Sequence, residues 1–317
     1  MLRRVCIVGL GLMGGAVGLA ARRSGAALRV IGVTGQTETL DKARTMGAVD
    51  EATLDLRVGV QDADLVVLCL PVRLIPTVAQ SVLQAGRNGT VITDVGSTKA
   101  RVVAAVEELI ARQKAPQTFV GSHPLAGSEK TGIEAAGEVQ LAGASCILTP
   151  TPATDNEAYQ RVDEFWKTLG MKTLRLSPGE HDVVLARSSH LPHLLAYALV
   201  VAQTDRSLNL CGTGLRDMTR LAGSDVTLWT DILAQNAGEL SKAVKDLGAE
   251  MLHLAQELDA LALAGTPGAE AARERVFRYL ADAKQRHDKR FPPESRSSAA
   301  TVVMTRPPAP EDNDVIR

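Results

Sequence analysis

The stretch VGSHPLAGSEKTG, residues 120–132, places His123 before Pro124 and brings Glu129 and Lys130 close behind it. An imidazole, a carboxylate and an ammonium in one run broken by Gly and Pro read as a polar segment whose groups need a chemical reason to be together. A neutral imidazole, with a pKa of about 6.5, can accept a proton near neutral pH. Pro124 fixes the chain just past the histidine, and Gly127 allows the turn. Glu129 and Lys130 are expected to orient the imidazole or balance its charge, with Lys130 the better candidate for a solvated cation.

A second group of chemistry-bearing residues comes later in the chain. His181, His190 and His193 are clustered, and the last two are three apart, which puts them on one face of a helix. Metal ligation, structural burial and substrate contact all remain open for them. No H-E-x-x-H pattern or partnering Cys supports a metal, so none is assigned and substrate contact is preferred. In GTGLRDMTRLAGSD, Asp217 and Arg220 are also three apart. They are either a surface ion pair of little worth or a device in which Asp217 holds the Arg220 fork for a carboxylate. Trp229 either walls the same pocket or belongs to the core.

These groups need a scaffold, and the first half of the chain supplies one. RRVCIVGLGLMGGAVGLAARRSG reads as strand, glycine turn and helix, with Gly9, Gly11 and Gly14 at G-x-G-x-x-G spacing. The first glycine allows the turn, the second lets backbone approach a pyrophosphate, and the third permits close helix–strand contact. A second strand follows at 27–33. Leu12 and Met13 inside the motif, and Leu70, Pro71 and Asp94 after later strands, are further expected cofactor contacts. Apolar runs at 63–71, 89–99, 117–125 and 143–150 read as strands. Helical patterns fill 36–46, 74–85, 98–113 and 155–169. Such alternation predicts an α/β, Rossmann-type, doubly wound and mainly parallel sheet, with loops 71–73, 94–99 and 121–129 converging on one cleft. Where NAD-specific sites usually carry an acid, the second strand ends in Thr34, followed by Gln36 and Thr37. These can donate to a 2′-phosphate, though no Arg stands beside them. The cofactor is therefore NAD or NADP, with a slight lean to NADP or dual use.

From about residue 180 the pattern turns helical. Leu233, Ala237, Leu240, Val244, Leu247, Met251, Leu254, Leu258 and Leu261 recur at three- and four-residue steps and predict one long amphipathic helix. A second long helix follows the Gly265-Thr-Pro-Gly break. Two apolar stripes with little chain left to cover them point to a homodimer, with a self-closed bundle as the alternative. The expected domains are 1–177, dinucleotide binding; 178–291, all-helical and dimerising; and 292–317, a disordered Pro-, Ser- and Ala-rich tail.

Composition narrows the partners. With 45% hydrophobic and 22% charged residues the chain can bury a core. A net charge of −1, no block of like charge, and only three Tyr, four Phe and two Trp give no reason to expect nucleic acid or an anionic membrane. Cys6, Cys69, Cys146 and Cys211 are widely spaced, and three lie in strand-like runs, so buried thiols are expected. The apolar N-terminus is cut by Arg22-Arg23, and its glycines have a better explanation than a signal peptide. A soluble, cytoplasmic protein acting on a small molecule is expected.

Taken together, Gly9-Leu-Gly-Leu-Met-Gly, Asp94-Val-Gly-Ser-Thr-Lys99, His123-Pro-Leu-Ala-Gly-Ser-Glu129, HDVVLARSSHLPH (181–193) and LRDMTRLAGSD (215–225) resemble the prephenate/arogenate dehydrogenases of tyrosine biosynthesis. The resemblance covers roughly residues 4–290. It implies a Rossmann domain joined to a helical dimerisation domain. The implied reaction is oxidative decarboxylation of prephenate to 4-hydroxyphenylpyruvate, or of arogenate to tyrosine. It makes His123 the catalytic histidine that accepts the substrate hydroxyl's hydrogen bond, and Ser97 the serine supporting it. Arg220 becomes the carboxylate-binding arginine. His181, His190, His193, Glu129, Asp217 and Trp229 become substrate-pocket positions or supports just behind them. Thr34 and Thr213 depart from the family pattern, the latter interrupting a glycine run, and no ligand-sensing domain or fused mutase helix is expected. A 3-hydroxyacid dehydrogenase or imine reductase shares GLGLMG but fits HPLAGSE poorly. A non-catalytic dinucleotide sensor would not need convergent His and Arg.

Overall fold

The computed structural model describes residues 2–292. Strands and helices alternate through the first part: β1 (Leu2–Val8), α1 (Leu12–Ser24), β2 (Ala27–Val33), α2 (Thr37–Thr45), β3 (Glu51–Thr53), α3 (Leu56–Val60), β4 (Leu65–Leu68), α4 (Ile75–Ala85), β5 (Val91–Asp94), α5 (Ala100–Gln113), β6 (Thr118–Pro124), β7 (Ser145–Thr149), α6 (Asn156–Thr168) and β8 (Lys172–Arg175). They form one eight-stranded sheet in the order β3-β2-β1-β4-β5-β6-β7-β8. Its pairs are parallel except β6–β7, which is antiparallel and sets His123 opposite Ile147.

The sheet forms because its strands alternate into two cores. Val5, Ile7, Leu65 and Val67 face one buried cluster with α1 and α6, while Cys6, Val8, Val66 and Leu68 face the other with α4 and α5. All four residues of β4 are buried, as a central parallel strand covered on both faces requires. Three short elements escaped the apolar pattern. β3 has three residues, α3 five, with Asp55 capping it, and β8 is a mostly polar edge strand of four. The expected strands 63–71 and 89–99 shorten to β4 and β5, because the chain leaves the sheet there to make the cleft loops.

The helical part opens at a capping box. Ser177 Oγ accepts from the Glu180 amide at 3.2 Å, and Glu180 Oε2 accepts from the Ser177 amide at 2.8 Å. This starts α7 (Pro178–Leu185) sharply and sets His181 and Asp182 in its first turns. The helix does not wait for Pro192: it continues through a π turn, Ala186–His190, into α8 (Leu191–Val201). Pro192 has no N–H to donate back, and a widened turn is the usual accommodation. Then come α9 (Asp205–Asn209), α10 (Thr213–Thr219), α11 (Val226–Gln235), α12 (Ala237–Leu261) and α13 (Pro267–Arg290). The single helix expected across Leu233–Leu261 is two, broken at Asn236, whose backbone closes α11 and whose side chain turns inward to the site. By compactness the chain divides into Met1–Val244 and the part from Lys245. In the second unit Glu257 takes a bidentate bond from Arg275, both contacts 2.8 Å, while Met251, Leu252, Leu258, Phe277 and Leu280 are exposed.

The run Pro178–Val201 is long and apolar enough to cross a membrane by length and composition. It holds buried polar side chains that bond to the sheet domain, described below, so it is an element of the folded unit. Apart from its first residue, the tail expected at 292–317 lies outside the described residues.

Candidate active site

The glycine turn after β1 has the geometry that its spacing calls for. Gly9 has φ of +96°, and a Cβ there would stand 2.2 Å from the Cys69 carbonyl oxygen. A Cβ on Gly14 would stand 1.8 Å from the Gly9 carbonyl oxygen, so α1 packs against the turn only with glycine. At Gly11 an added Cβ meets nothing within 4 Å. Gly11 caps α1 without a side-chain bond, and no acid occupies the first turn, so the helix's leading amides are open to an anion. Leu12 and Met13 are half-buried beside it. Sheet order reverses between β1 and β4, and Leu70 and Pro71 follow β4 at that crevice. These residues fit a dinucleotide pyrophosphate. Thr34 is buried just past β2 and its hydroxyl accepts the Gln36 amide at 3.3 Å, while Gln36 and Thr37 are exposed.

Asp94 was expected to touch the cofactor but is sealed in the protein. Fully buried, it takes the amides of Gly96 at 2.9 Å and Ser122 at 3.1 Å and pairs with the equally buried Lys99 ammonium. Its oxygens are filled from within, which leaves nothing for a ligand. Lys99 carried no role in the sequence reading beyond its place in the DVGSTK run. Its signal was weak: one lysine at the start of a helix, where solvation is the default.

His123 ends β6 and is 8% exposed. Its Nδ1 lies 2.9 Å from Nε2 of His181, whose own Nδ1 lies 2.8 Å from Oδ1 of Asp182. Asp182 also accepts the Lys99 amide at 2.7 Å and the Ala100 amide at 2.9 Å, which cap α5 from another helix. The Asn236 amide donates to the Asp182 carbonyl at 2.7 Å and lies 3.1 Å from His190 Nδ1. His181 is therefore a fully buried support behind His123, not the substrate contact expected of it. The supporting bond to His123 comes from His181, while Ser97, half-buried in the β5–α5 loop, makes no hydrogen bond to it among the described residues. Glu129 and Lys130 do not surround the imidazole either: Lys130 pairs with Glu138 and Glu129 with Arg220.

Burial governs the electrostatics. It pushes His123 well below its usual pKa, and nearby His181, Lys99 and His190 push the same way. His190 falls to about 4, again through burial, against the pull of Asp182. Burial also lowers His181, with Asp182 opposing. Asp182 is raised by burial but ends below the ordinary carboxylate value, because the His181 ring and the two α5 amides outweigh it. Burial also raises the thiols of Cys6, Cys69 and Cys146, Cys6 being pushed up to about 12.

A more open group borders this one. His193 stacks on Trp229, centroids 3.5 Å apart, and donates through Nδ1 to the Ser189 carbonyl at 3.0 Å. His190 meets the same indole edge-on at 6.1 Å. Both histidines therefore contact one ring. Trp229 is half-buried and packs against the second core cluster. Arg73 holds α11 by an ion pair with Asp231 at 2.7 Å. Arg220 Nη1 is 3.4 Å from Glu129 Oε2. Among the described residues Asp217 does not pair with Arg220: α10 ends at Thr219 and the chain tightens to a 3₁₀ turn, so helical spacing no longer applies. Asp182 and Asn236 also went unread. Asp182 was one residue from a noted histidine, and Asn236 interrupts an apolar period too strong to suggest a break.

Two family descriptions match the chain: the nucleotide-binding domain of prephenate dehydrogenase over residues 17–175, and its dimerization domain over 177–281. Prephenate dehydrogenase of Bacillus subtilis is 32% identical over 296 residues, covering 90% of this chain and 75% of that protein. Cyclohexadienyl dehydrogenase of Zymomonas mobilis is 32% identical over 245 residues, covering 75% and 82%. A crystal structure of prephenate dehydrogenase from A. aeolicus, in complex with hydroxyphenyl propionate and NAD+, superposes with a TM-score of 0.79 at 31% identity, covering 91% of this chain and 98% of that one. Synechocystis arogenate dehydrogenase does so with a TM-score of 0.71 at 29% identity, covering 90% and 99%. The chain belongs to the prephenate dehydrogenase family.

Proposed function

We propose that this chain oxidatively decarboxylates prephenate to 4-hydroxyphenylpyruvate. One observation carries the reading: a buried imidazole, held neutral, ends a strand of the sheet that also bears the open glycine turn. When bound, the nicotinamide supplies the hydride acceptor. His123 Nε2 takes the proton from the ring hydroxyl as the carbinol carbon gives up its hydride and becomes a carbonyl. The bond to the ring carboxylate then breaks. Its electron pair passes through the ring to that oxygen, CO2 leaves, and the oxygen reclaims the proton from His123. The gain is an aromatic phenol, so the protein's work is positioning and proton handling.

Arg220 binds a substrate carboxylate in this scheme, displacing its exposed and long contact to Glu129. A tight grip on the departing carboxylate would stabilise the ground state, so its use is orientation. His193, with Nδ1 occupied, offers Nε2, Trp229 walls the pocket, and Ser97 has a hydroxyl free for the substrate. His190 braces the wall. For Asp217, exposed near Arg220, we retain only a place at the rim.

The division at 177/178 separates the cofactor domain from the helices that bring Arg220 and Trp229. Exposed apolar residues on α12 and α13 support a homodimer through those helices, and sedimentation at two concentrations tests it. A cytoplasmic location agrees with a diffusible substrate. For the cofactor we favour NADP or dual use: Gln36 and Thr37 open α2 with exposed donors and no acid precedes Glu38, which itself keeps NAD in play.

Purified protein incubated with prephenate or arogenate, each with NAD+ or NADP+, tests all of this through cofactor reduction. Turnover with prephenate supports the reading, turnover with arogenate alone replaces it by the arogenate reaction, and turnover with neither rejects it.

A further inference from the structure

The base and the carboxylate-binding groups account for the ligand side of the site, but not for the buried row behind it. We propose that Asp182 and His181 are positioning residues that hold the His123 proton on Nδ1, so that Nε2 is the base, and that they share the charge made when the substrate proton arrives. The proposal rests on the function given above for His123.

Asp182 is the group with no choice. An ionised carboxylate only accepts hydrogen bonds. Asp182 already receives the Lys99 and Ala100 amides at 2.7 and 2.9 Å, both unambiguous donors. The imidazole nitrogen 2.8 Å from its Oδ1 must then be the N–H of His181. A neutral ring carries one proton, so His181 Nε2 is a lone pair. His123 Nδ1, 2.9 Å away, must supply the hydrogen between them. That leaves the lone pair of His123 on Nε2, where among the described residues it has no hydrogen-bond partner. The other tautomer would set two lone pairs or two N–H groups against each other in a buried place.

Three elements hold the row still. The capping box fixes the start of α7, the α5 amides grip the Asp182 carboxylate, and Asn236 at the α11–α12 break donates to the Asp182 carbonyl. His181 is fully buried and Asp182 is 4% exposed, so water does not compete for these bonds.

The same geometry handles charge. When Nε2 of His123 gains the substrate proton, the Nδ1–H bond can break as a bond forms to His181 Nε2. One proton moves, none is gained, and the positive ring now faces Asp182. Lys99 disfavours charge on both rings, while Asp182 favours it on His181, so the second ring is the better holder. The step reverses when the phenol oxygen reclaims its proton.

Asp182→Asn removes the negative charge that His181 faces and sets an N–H against an α5 amide, so the row loses both its anchor and the group that favours a positive ring. We expect kcat to fall about 10²-fold or more, with KM for prephenate and for cofactor within about twofold, and Asp182→Glu to recover part of the loss. The kcat–pH profile of the variant should lose the limb set by His123, which in the native protein is faced by His181 and His190 from the helices and by Lys99 from the start of α5, with Cys146 of β7 against its backbone. A kcat within threefold of native, or a loss confined to KM, overturns the proposal. Should that variant not fold, nitrogen NMR of native protein with labelled histidine reads the tautomers directly. Nδ1–H on both His123 and His181 supports the lock, and Nε2–H on either overturns it. The NMR result does not depend on the substrate, so it separates failure of the lock from failure of the prephenate reading.

Discussion

Two polar groups share this site and are built on opposite terms. Asp94, Lys99, His123, His181, Asp182 and His190 are nearly or fully buried, and most of their polar atoms have named partners at short range. Glu129, Lys130, Asp217 and Arg220 are exposed, and the contact Arg220 makes is long, with its side chain 62% accessible. Burial makes each bond expensive to lose and shifts His123, His181 and His190 downward; exposure makes bonds cheap and replaceable. A proton acceptor needs the first condition, because its tautomer and charge must be set before the substrate arrives. A carboxylate receptor needs the second, because its resting partner has to give way.

The sharpest break comes from the buried side. Lys99→Met leaves the Asp94 carboxylate buried without its counter-charge and is expected to cost about 3–5 kcal/mol of stability, read from urea denaturation. An unchanged midpoint would remove the distinction between the two groups. His123→Asn removes the base and is expected to lower kcat about 10²-fold or more with little change in KM, while near-normal turnover would reject its role.

Acid should find the buried group as well. His190 takes a proton at its ordinary 6.5 when unfolded but only near 4 when folded. Its contribution is whole above 6.5 and is lost as pH falls to about 4, roughly 2–3 kcal/mol in all. His123 and His181 are displaced in the same direction and add to the loss. Denaturation midpoints at about pH 7 and about pH 4.5 should therefore differ clearly, and equal midpoints would contradict the burial argument.

The exposed side should respond through binding alone. Arg220→Ala is expected to raise KM more than tenfold, about 1.4 kcal/mol, with the fold intact; an unchanged KM takes it out of the site. Glu129→Gln is the mildest test. An exposed pair at 3.4 Å should contribute less than about 1 kcal/mol, so its loss should leave stability unaltered and KM the same or slightly lower. A large drop in stability would show that this contact is structural.

Much of the scaffold was legible because its signals are local. Val5 to Val8 and Leu65 to Leu68 are apolar runs that only a covered parallel strand explains, and Gly9 and Gly14 stand where any Cβ would strike backbone. His123, His193 and Trp229 were singled out by residue type and by the family resemblance, and the structure sets His123 in β6 and stacks His193 on Trp229. Partnership was not. Asp217 next to Arg220 looked like a clamp, yet Glu129, 91 residues away, is what Arg220 meets. Asp94 and Lys99 looked like loop residues and proved to be a sealed pair. Asn236 looked like one position in a helix and is its break.

The amino-acid sequence alone determined the main alternation of strands and helices and the glycine turn that fits a dinucleotide. Periodicity, glycine sterics and side-chain chemistry act over a few residues and need no knowledge of the rest. Only the tertiary structure decided which charges are buried, which nitrogen of His123 faces His181, and which acid holds which base. Those outcomes depend on desolvation and on distances between residues far apart in the chain, and both exist only once the helices close over the sheet.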